Sequence, residues 1–276
     1  MRTAAVQLNS TDDRERNMAT ADRLVRDAAA DGANLIVLPE KFNVLGEHDD
    51  YVRGAETLEG PTVTWARETA RELAVDLIAG SIVERREGRE KLGNTSVHVG
   101  PDGEVRAVYR KIHMFDVVVG GIEYRESASE EPGDDIVLSE AGEGIPLGLT
   151  VCYDLRFPEL FRILAIRGAR VITLPAAFTK VTGQAHWEIL IRARAIENQA
   201  FVVAADQIGT HPPDKESFGG SMIVDPWGEV LARAPDEECF IATNLDFARQ
   251  DEVRDKLPSL ANRVASAYRW PDQVTA

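Results

Sequence analysis

Short apolar runs alternate with amphipathic helical segments along the whole chain, and this alternation limits the fold more than any other feature. The run Leu35-Ile36-Val37-Leu38 is typical of a strand that is covered on both faces. Residues 13–31, by contrast, repeat their apolar positions with a helical period, and Gly32 ends that helix. No linker, internal repeat or low-complexity segment interrupts the alternation. We therefore predict one α/β domain over residues 1–276.

Two turn sequences predict hairpins, so the sheet must be mixed. Pro101-Asp102-Gly103 precedes a strand predicted over 105–109, and Asp225-Pro226-Trp227-Gly228 separates strands predicted over 221–224 and 230–232. Antiparallel pairs of this kind disfavour a parallel barrel and a Rossmann fold. The chain also lacks the GxGxxG fingerprint and a Walker phosphate loop.

Further elements are predicted from the same patterns. Residues 77–83 predict one strand, and residues 61–73 and 187–198 predict helices. The segment around His211-Pro212-Pro213 predicts a loop. From residue 110 to residue 135 the periodicity fails, which predicts a long polar loop, and a loop of that length is usually functional or disordered.

The net charge of −15, from 46 acidic and 31 basic residues, argues against nucleic acid and anionic membrane surfaces as partners. Six of the basic residues are lysines and the other 25 are arginines. An acidic surface with so few lysines indicates a halophilic protein, because salt screens the repulsion between carboxylates. No segment has 18 consecutive apolar residues, so we expect no membrane span.

The start of the chain and its cysteines predict a cytoplasmic protein. Met1 runs directly into a predicted strand, without the layout of a secretory signal peptide. The two cysteines, Cys152 and Cys239, make no disulfide framework, and neither belongs to a CxxC pair. We interpret Cys239 as a packing residue of a strand.

Cys152 is the strongest candidate for a reactive group. It ends a predicted buried strand, and the chain then turns through Asp154 into a helix whose first turn carries Pro158 and Glu159. A strand-turn-helix with the nucleophile at the turn exposes one reactive atom above a sheet. The nearby helix N-terminus is expected to lower the pKa of the thiol.

Glu40 and Lys111 also come just after predicted strands. If the three strands belong to one sheet and run in the same direction, the three side chains meet at one edge, where the sites of α/β folds gather. Such a trio supports acyl transfer, because a desolvated carboxylate can accept the thiol proton before Cys152 attacks a carbonyl carbon. The Lys111 ammonium and the backbone N–H of Tyr153 can then stabilise the oxyanion.

A cysteine–histidine pair is the competing interpretation of the site. His113 and His186 are the candidate bases, but both stand in apolar or aromatic surroundings that suit structural histidines. Metal chemistry has less support, since there is no HExxH motif and His186-Trp187-Glu188 lacks the spacing of a ligand pair on one helix face. We therefore expect neither a metal nor a cofactor.

Three segments of the chain resemble the signature segments of the carbon–nitrogen hydrolase (nitrilase) superfamily. They are Leu38-Pro39-Glu40, residues 109–116 (YRKIHMFD) and residues 151–159 (VCYDLRFPE). Residues 185–199 and 221–228 also resemble family segments, so the resemblance covers nearly the whole chain. It is nearest to the branch that contains omega-amidases and deaminated-glutathione amidases.

The resemblance implies a four-layer α-β-β-α sandwich with mixed sheets, paired through a helix face and the C-terminal tail into a homodimer or larger homo-oligomer. It makes Glu40 the general base, Lys111 the cation that stabilises the oxyanion, and Cys152 the nucleophile. A second glutamate of the family corresponds to Glu126 in Tyr124-Arg125-Glu126-Ser127, where it would orient Lys111 and the attacking water.

The expected function is hydrolysis of a small-molecule amide that bears a carboxylate, through a cysteine thioester, to an acid and ammonia. Arg156 is predicted to hold the substrate carboxylate, with Phe178 and Thr179 lining the same pocket; a salt bridge from Arg156 to Asp154 or Glu159 is the alternative. Two other functions stay open: the same triad acting on a nitrile or an N-carbamoyl amine, and a non-catalytic scaffold or binding subunit.

Overall fold

Two mixed β-sheets lie face to face, and helices cover the outer face of each. The computed structural model describes residues 1–269. The predicted interface tail, which ends in Tyr268-Arg269-Trp270-Pro271, therefore lies partly outside the described residues, and the extent of one domain over residues 1–276 stays a prediction. The helices are α1 (Arg14–Ala30), α2 (His48–Gly54), α3 (Pro61–Leu73), α4 (Pro158–Ile166), α5 (Lys180–Asn198) and α6 (Phe247–Lys256).

The strands are β1 (Arg2–Gln7), β2 (Leu35–Val37), β3 (Asp76–Ile78), β4 (Ile82–Glu84), β5 (Gly93–Val99), β6 (Val105–Arg110), β7 (Asp116–Val119), β8 (Ile122–Arg125), β9 (Leu138–Ala141), β10 (Ile145–Leu149), β11 (Val171–Ala176), β12 (Phe201–Asp206), β13 (Ile208–His211), β14 (Lys215–Phe218), β15 (Met222–Val224), β16 (Val230–Arg233) and β17 (Cys239–Asn244). The first sheet has the order β17-β1-β2-β3-β5-β4, with β6 also paired to β5. The second sheet has the order β16-β15-β12-β11-β10-β9. β7–β8 and β13–β14 form separate hairpins.

Strand β2 shows how the sequence produces the layers. Leu35 and Val37 pack into a core cluster shared with the second sheet and with α4 and α5. Ile36 and Leu38 point the other way, into a cluster shared with α1 and α3. Because successive side chains of a strand point to opposite faces, a run that is apolar at every position must be covered on both sides. The four-layer α-β-β-α sandwich with mixed sheets is thereby confirmed.

The predicted strand over 77–83 is wrong at its centre, where β3 ends at Ile78 and β4 begins only at Ile82. Gly80 lies between them with a φ of +44°, and a Cβ added there would lie 2.0 Å from the backbone oxygen of Pro39. The chain therefore bends sharply around the end of β2, where only glycine fits. This close approach packs the bend against the residue that precedes Glu40.

The predicted polar loop over 110–135 is also wrong, because β7 and β8 form a hairpin inside it. Gly120 and Gly121 occupy its turn with φ of +59° and +81°, a conformation that suits the twist of paired strands. The loop predicted around His211-Pro212-Pro213 is confirmed for the two prolines, which lie in the tip of the β13–β14 hairpin, whereas His211 ends β13. Helix α2, which exposes most of its surface, was not predicted because it lacks an apolar stripe. Within residues 1–269, no helix is both long and apolar enough to cross a bilayer.

Candidate active site

Glu40, Lys111 and Cys152 lie together at one end of the sandwich. The Lys111 ammonium is 3.0 Å from Oε1 of Glu40, and the Cys152 thiol interacts with the Glu40 carboxylate and with the charge of Lys111. All three side chains are buried. An acid and a cation in direct contact, with a buried thiol on the wall of the same cavity, have the composition required for acyl transfer.

The expectation that one sheet carries all three residues is wrong. Glu40 and Lys111 follow β2 and β6 of the first sheet, whereas Cys152 follows β10 of the second sheet. β2 is parallel to β3, and β5 is antiparallel both to β3 and to β6. β2 and β6 therefore run in the same direction. The site therefore lies where the strand ends of two packed sheets meet, and not along the edge of one.

Three donors fix the Glu40 carboxylate. Its Oε1 accepts hydrogen bonds from Asn94 Nδ2 at 2.7 Å and from Lys111 Nζ, and its Oε2 accepts one from the backbone N–H of Ala177 at 2.9 Å. Asn94 belongs to the first sheet, while Ala177 follows β11 of the second. The carboxylate is thus held from both sheets on the wall of the cavity that Cys152 also lines.

Glu126 lies on the other side of the Lys111 ammonium. Its two oxygens are 2.9 and 2.8 Å from Nζ, and it also accepts hydrogen bonds from Asn94 Nδ2 and the backbone N–H of Phe115. Burial opposes its charge, but Lys111, Lys41 and these hydrogen bonds lower the pKa of Glu126 to about 2. Burial likewise opposes the charge of Lys111, yet the carboxylates of Glu126 and Glu40 raise its pKa well above the ordinary value.

The prediction of a lowered thiol pKa is wrong. Burial raises the pKa of Cys152 well above its ordinary value, the charge of Glu40 raises it further, and Lys111 only partly offsets both. The helix N-terminus is too far to help, because Cys152–Arg156 form a short 3₁₀ turn and α4 begins only at Pro158. The thiol is therefore protonated at rest and needs a base in order to react.

The nucleophile turn, residues 151–157, is held by the buried carboxylate of Asp154. This carboxylate accepts hydrogen bonds from the Tyr109 hydroxyl at 2.6 Å and the Val151 N–H at 2.8 Å, and its Oδ1 is 2.6 Å from Nδ1 of His113. Cys152 itself has a φ of +48°, a left-handed conformation that a side chain adopts only when its surroundings enforce it. His113 also stacks on a ring of this turn, so its contacts are with the turn and not with the thiol.

A cavity of about 260 Å³ opens above the thiol, and its walls include Tyr153, Arg156, Phe178 and Thr179. The Arg156 guanidinium lies 5.1 Å from the centre of the Phe178 ring, and its Nη1 is 3.3 Å from Nδ1 of His186. In residues 1–269 it forms no salt bridge with a carboxylate, so neither alternative partner of Arg156 holds it. The cavity therefore presents a cation that protein carboxylates leave available.

The chain was compared with models of known protein families, and one model matches almost its whole length. The model described as carbon–nitrogen hydrolase matches residues 2–255. The chain belongs to the carbon–nitrogen hydrolase family. Two curated relatives of this hydrolase are omega-amidase NIT2 from Mus musculus, at 39% identity over 97% of the chain and 96% of the relative, and deaminated glutathione amidase from Bos taurus, at 40% identity over 96% and 82%. Its relatives are thus amidases.

Solved structures agree with the fold of this carbon–nitrogen hydrolase. The NitFhit protein of C. elegans superposes with a TM-score of 0.89 at 34% identity, over 97% of this chain and 66% of that one. An amidase from Nesterenkonia sp. AN1 superposes with a TM-score of 0.81 at 26% identity, over 97% and 98%, and in that structure acrylamide has added to the active-site cysteine. The family therefore contains enzymes whose cysteine at the active site is reactive.

The sequence patterns missed several residues of the hydrolase's site. Asn94 donates hydrogen bonds to both Glu40 and Glu126. Its position in a strand could have marked it as a site residue, because asparagine is depleted in strands. Lys41 and Glu130 form a second ion pair on the cavity wall. Lys41 could have been found as one of only six lysines, directly after Glu40 and before Phe42. Nothing local distinguishes Glu130 from the other acids of its segment.

No metal site accompanies these residues within the part of the chain that the structure describes. A search of residues 1–269 finds no group of three or more histidine, cysteine, aspartate or glutamate side chains placed to hold a metal ion.

Proposed function

We propose that this hydrolase is a thiol-dependent amidase that converts a small amide bearing a carboxylate into the acid and ammonia. The single observation that carries the proposal is that the buried Cys152 thiol shares one cavity wall with Glu40, whose carboxylate is 3.0 Å from the Lys111 ammonium. A buried, protonated thiol becomes a nucleophile only with a base in contact, and a buried ammonium is suited to a developing oxyanion.

The reaction follows in two halves. Glu40 accepts the thiol proton as Sγ of Cys152 bonds to the amide carbon, and the oxyanion that forms is stabilised by Lys111 Nζ and the N–H of Tyr153. When the carbon–nitrogen bond breaks, Glu40 gives its proton to the leaving nitrogen, and ammonia departs from the thioester. Water then enters, gives a proton to Glu40 and attacks the thioester carbon. Release of the acid returns the proton to the sulfur.

Glu126 orients Lys111 in this scheme. Its two contacts with Nζ, at 2.9 and 2.8 Å, fix the ammonium beside Glu40 while keeping it charged. Arg156 holds the substrate carboxylate, supported by its position on the cavity wall and by the lack of a carboxylate partner within residues 1–269. Phe178 and Thr179 line the same wall.

The experiment compares ammonia release from monoamides of dicarboxylic acids with release from matched nitriles and N-carbamoyl amines. We expect the monoamides to be hydrolysed and Cys152→Ala to abolish the reaction. Cys239→Ala is the matched control, because Cys239 lies on β17 and is not among the residues that line the cavity. Activity that survived Cys152→Ala would contradict the mechanism, and preference for a nitrile or carbamoyl substrate would contradict the amidase assignment.

We also propose that the enzyme is a cytoplasmic homodimer or larger homo-oligomer without nucleic-acid partners. Ile189 and Ile196 are seven residues apart on α5, and both are exposed on one face that suits pairing between copies. The free thiols of Cys152 and Cys239 are compatible with a reducing compartment. Sedimentation of the purified enzyme tests the oligomer: a monomer at all concentrations would contradict it.

A further inference from the structure

Lys41 and Glu130 form a buried ion pair that the steps above leave without a role. Lys41 Nζ is 2.6 Å from Oε1 of Glu130, and the side chains are only 7% and 1% exposed. Taking two charges out of water is costly, so a buried pair is weak evidence for a contribution to stability. Its place beside the catalytic carboxylates suggests a different reason for it.

The pair joins the two segments that carry the carboxylates on either side of Lys111. Lys41 directly follows Glu40, has a φ of +50°, and donates its backbone N–H to Ser81 Oγ at 3.0 Å. Glu130 is one turn after Glu126, and its N–H donates to the Glu126 carbonyl at 3.0 Å. Each end of the ion pair is therefore tied through a short stretch of backbone to a carboxylate that contacts Lys111.

We propose that Lys41 and Glu130 are positioning residues, whose ion pair holds Glu40 and Glu126 in place on the two sides of the Lys111 ammonium. The inference rests on the proposed function, because it assigns neither residue a contact with substrate. The pair acts between segments: without it, the turn after β2 and the turn after β8 are free to move apart.

Four titratable side chains face Glu130. They are Lys41 after β2, Lys111 after β6, Glu126 in its own segment and Tyr51 of α2, whose ring centre is 4.2 Å from Lys41 Nζ. Burial raises the pKa of Glu130 to about 7, with Glu126 adding to the effect and the two lysines opposing it. Its Oε2 has no hydrogen-bond partner within residues 1–269. Above this pH the pair is ionic, and below it Glu130 is neutral and the pair is lost.

The test compares Lys41→Met, Glu130→Gln and the double variant Lys41→Met/Glu130→Leu on one monoamide substrate. We expect each single change to lower kcat about 10- to 100-fold with KM within about twofold, since small misplacements of catalytic groups have large effects on rate. The double variant replaces the whole pair with apolar side chains and leaves no unpaired charge. Because it also lacks the tie between the two segments, we expect it to stay about as slow as either single variant. Lys256→Met on exposed α6 is the matched control.

The pH profile separates positioning from simple destabilisation. In the parent enzyme, kcat should fall on the acid side with an ionisation near pH 7, and this ionisation should be absent from Glu130→Gln and from the double variant. Parental kcat and pH profile in Lys41→Met, or parental kcat in the double variant, would overturn the inference, because the second result would trace the single losses to an unpaired buried charge. A parent without amidase activity, or activity retained in Cys152→Ala, would instead overturn the proposed function.

Discussion

Lys111 and Glu126 form a two-pronged contact, in which Nζ lies 2.9 and 2.8 Å from the two carboxylate oxygens. The same ammonium is 3.0 Å from Glu40, so it sits between two buried acids. One acid has the thiol as its other neighbour, while the second accepts the Phe115 N–H. The ammonium is consequently restrained from the side away from the thiol.

Glu126→Gln tests that restraint. The substitution keeps the shape of the side chain but removes a charge from one side of Lys111, so we expect kcat to fall about 100-fold with little change in KM. Steady-state ammonia release measures both parameters. The control is Glu252→Gln on α6, whose side chain is exposed, pairs with Arg249 and Lys256 and is not among the residues that line the cavity. Equal kcat values for the two variants would contradict a role for Glu126.

Alkylation of Cys152 tests the contact between the thiol and Glu40. Burial and the Glu40 carboxylate raise the pKa of the thiol, so iodoacetamide should react slowly at pH 7 and faster as the pH rises above the ordinary range for cysteine. Glu40→Gln removes a negative charge beside the sulfur, which favours the thiolate, and its titration should move to lower pH. The measurement uses Cys239→Ser as background. An unchanged titration would show that Glu40 does not act on the thiol.

Arg156→Met should impair substrates according to their charge. For an amide with a carboxylate, loss of one charge-assisted contact should lower kcat/KM by about 10- to 100-fold, mostly through KM. A neutral amide of the same length should be hydrolysed almost as before. Arg192→Met, on the exposed face of α5, serves as the control. Equal decreases in kcat/KM for charged and neutral amides would exclude Arg156 as the group that binds the substrate carboxylate.

Asp154→Asn should loosen the nucleophile turn. Its Oδ2 accepts from Tyr109 and from Val151, and its Oδ1 accepts from the His113 backbone N–H and faces His113 Nδ1, whereas an amide has only one accepting oxygen. We expect a loss of about 2 kcal/mol in the free energy of unfolding, measured by urea denaturation. Tyr109→Phe should cost less, and the two changes should be non-additive because both residues belong to one hydrogen-bond network. Additive losses would mean that the two groups act independently.

Salt should stabilise the protein if its acidic surface belongs to a high-salt interior. With a net charge of −15, self-repulsion is strongest in dilute buffer, and screening should raise Tm as KCl increases from 0.1 to about 2 M. NaCl at equal ionic strength controls for the identity of the cation. A protein that is fully stable and active without added salt would contradict the halophilic interpretation.

The sequence predicted the elements that follow a simple period and missed those that depend on contacts. Helix α1 has Asp13 as its N-cap and buries Leu24 and Val25, as its periodicity indicates. The sequence pattern did not predict the break between β3 and β4 at Gly80, because its cause is the close approach of the Pro39 backbone, a tertiary contact. Local pattern also cannot tell which strands share a sheet, so the strands that precede Glu40, Lys111 and Cys152 were wrongly assigned to one sheet.

Buried charges explain most of what was missed in the site. Lys41 and Glu130 read as ordinary surface residues, because a charged side chain is rarely buried unless it has a partner and the partner lies far along the chain. Asp154 was predicted to be part of a turn, yet its hydrogen bonds to Tyr109 and His113 come from another strand and another segment. Such pairs require the tertiary structure.

The division of the site between two sheets has a consequence for biogenesis. Glu40 and Lys111 emerge from one half of the sandwich and Cys152 from the other, so in the proposed mechanism neither half can catalyse the reaction by itself. By that mechanism, a newly made chain hydrolyses no amide until the two halves of the sandwich have packed together. Ammonia release is therefore a direct report of completed folding, and the thiol acquires its base only in the finished enzyme.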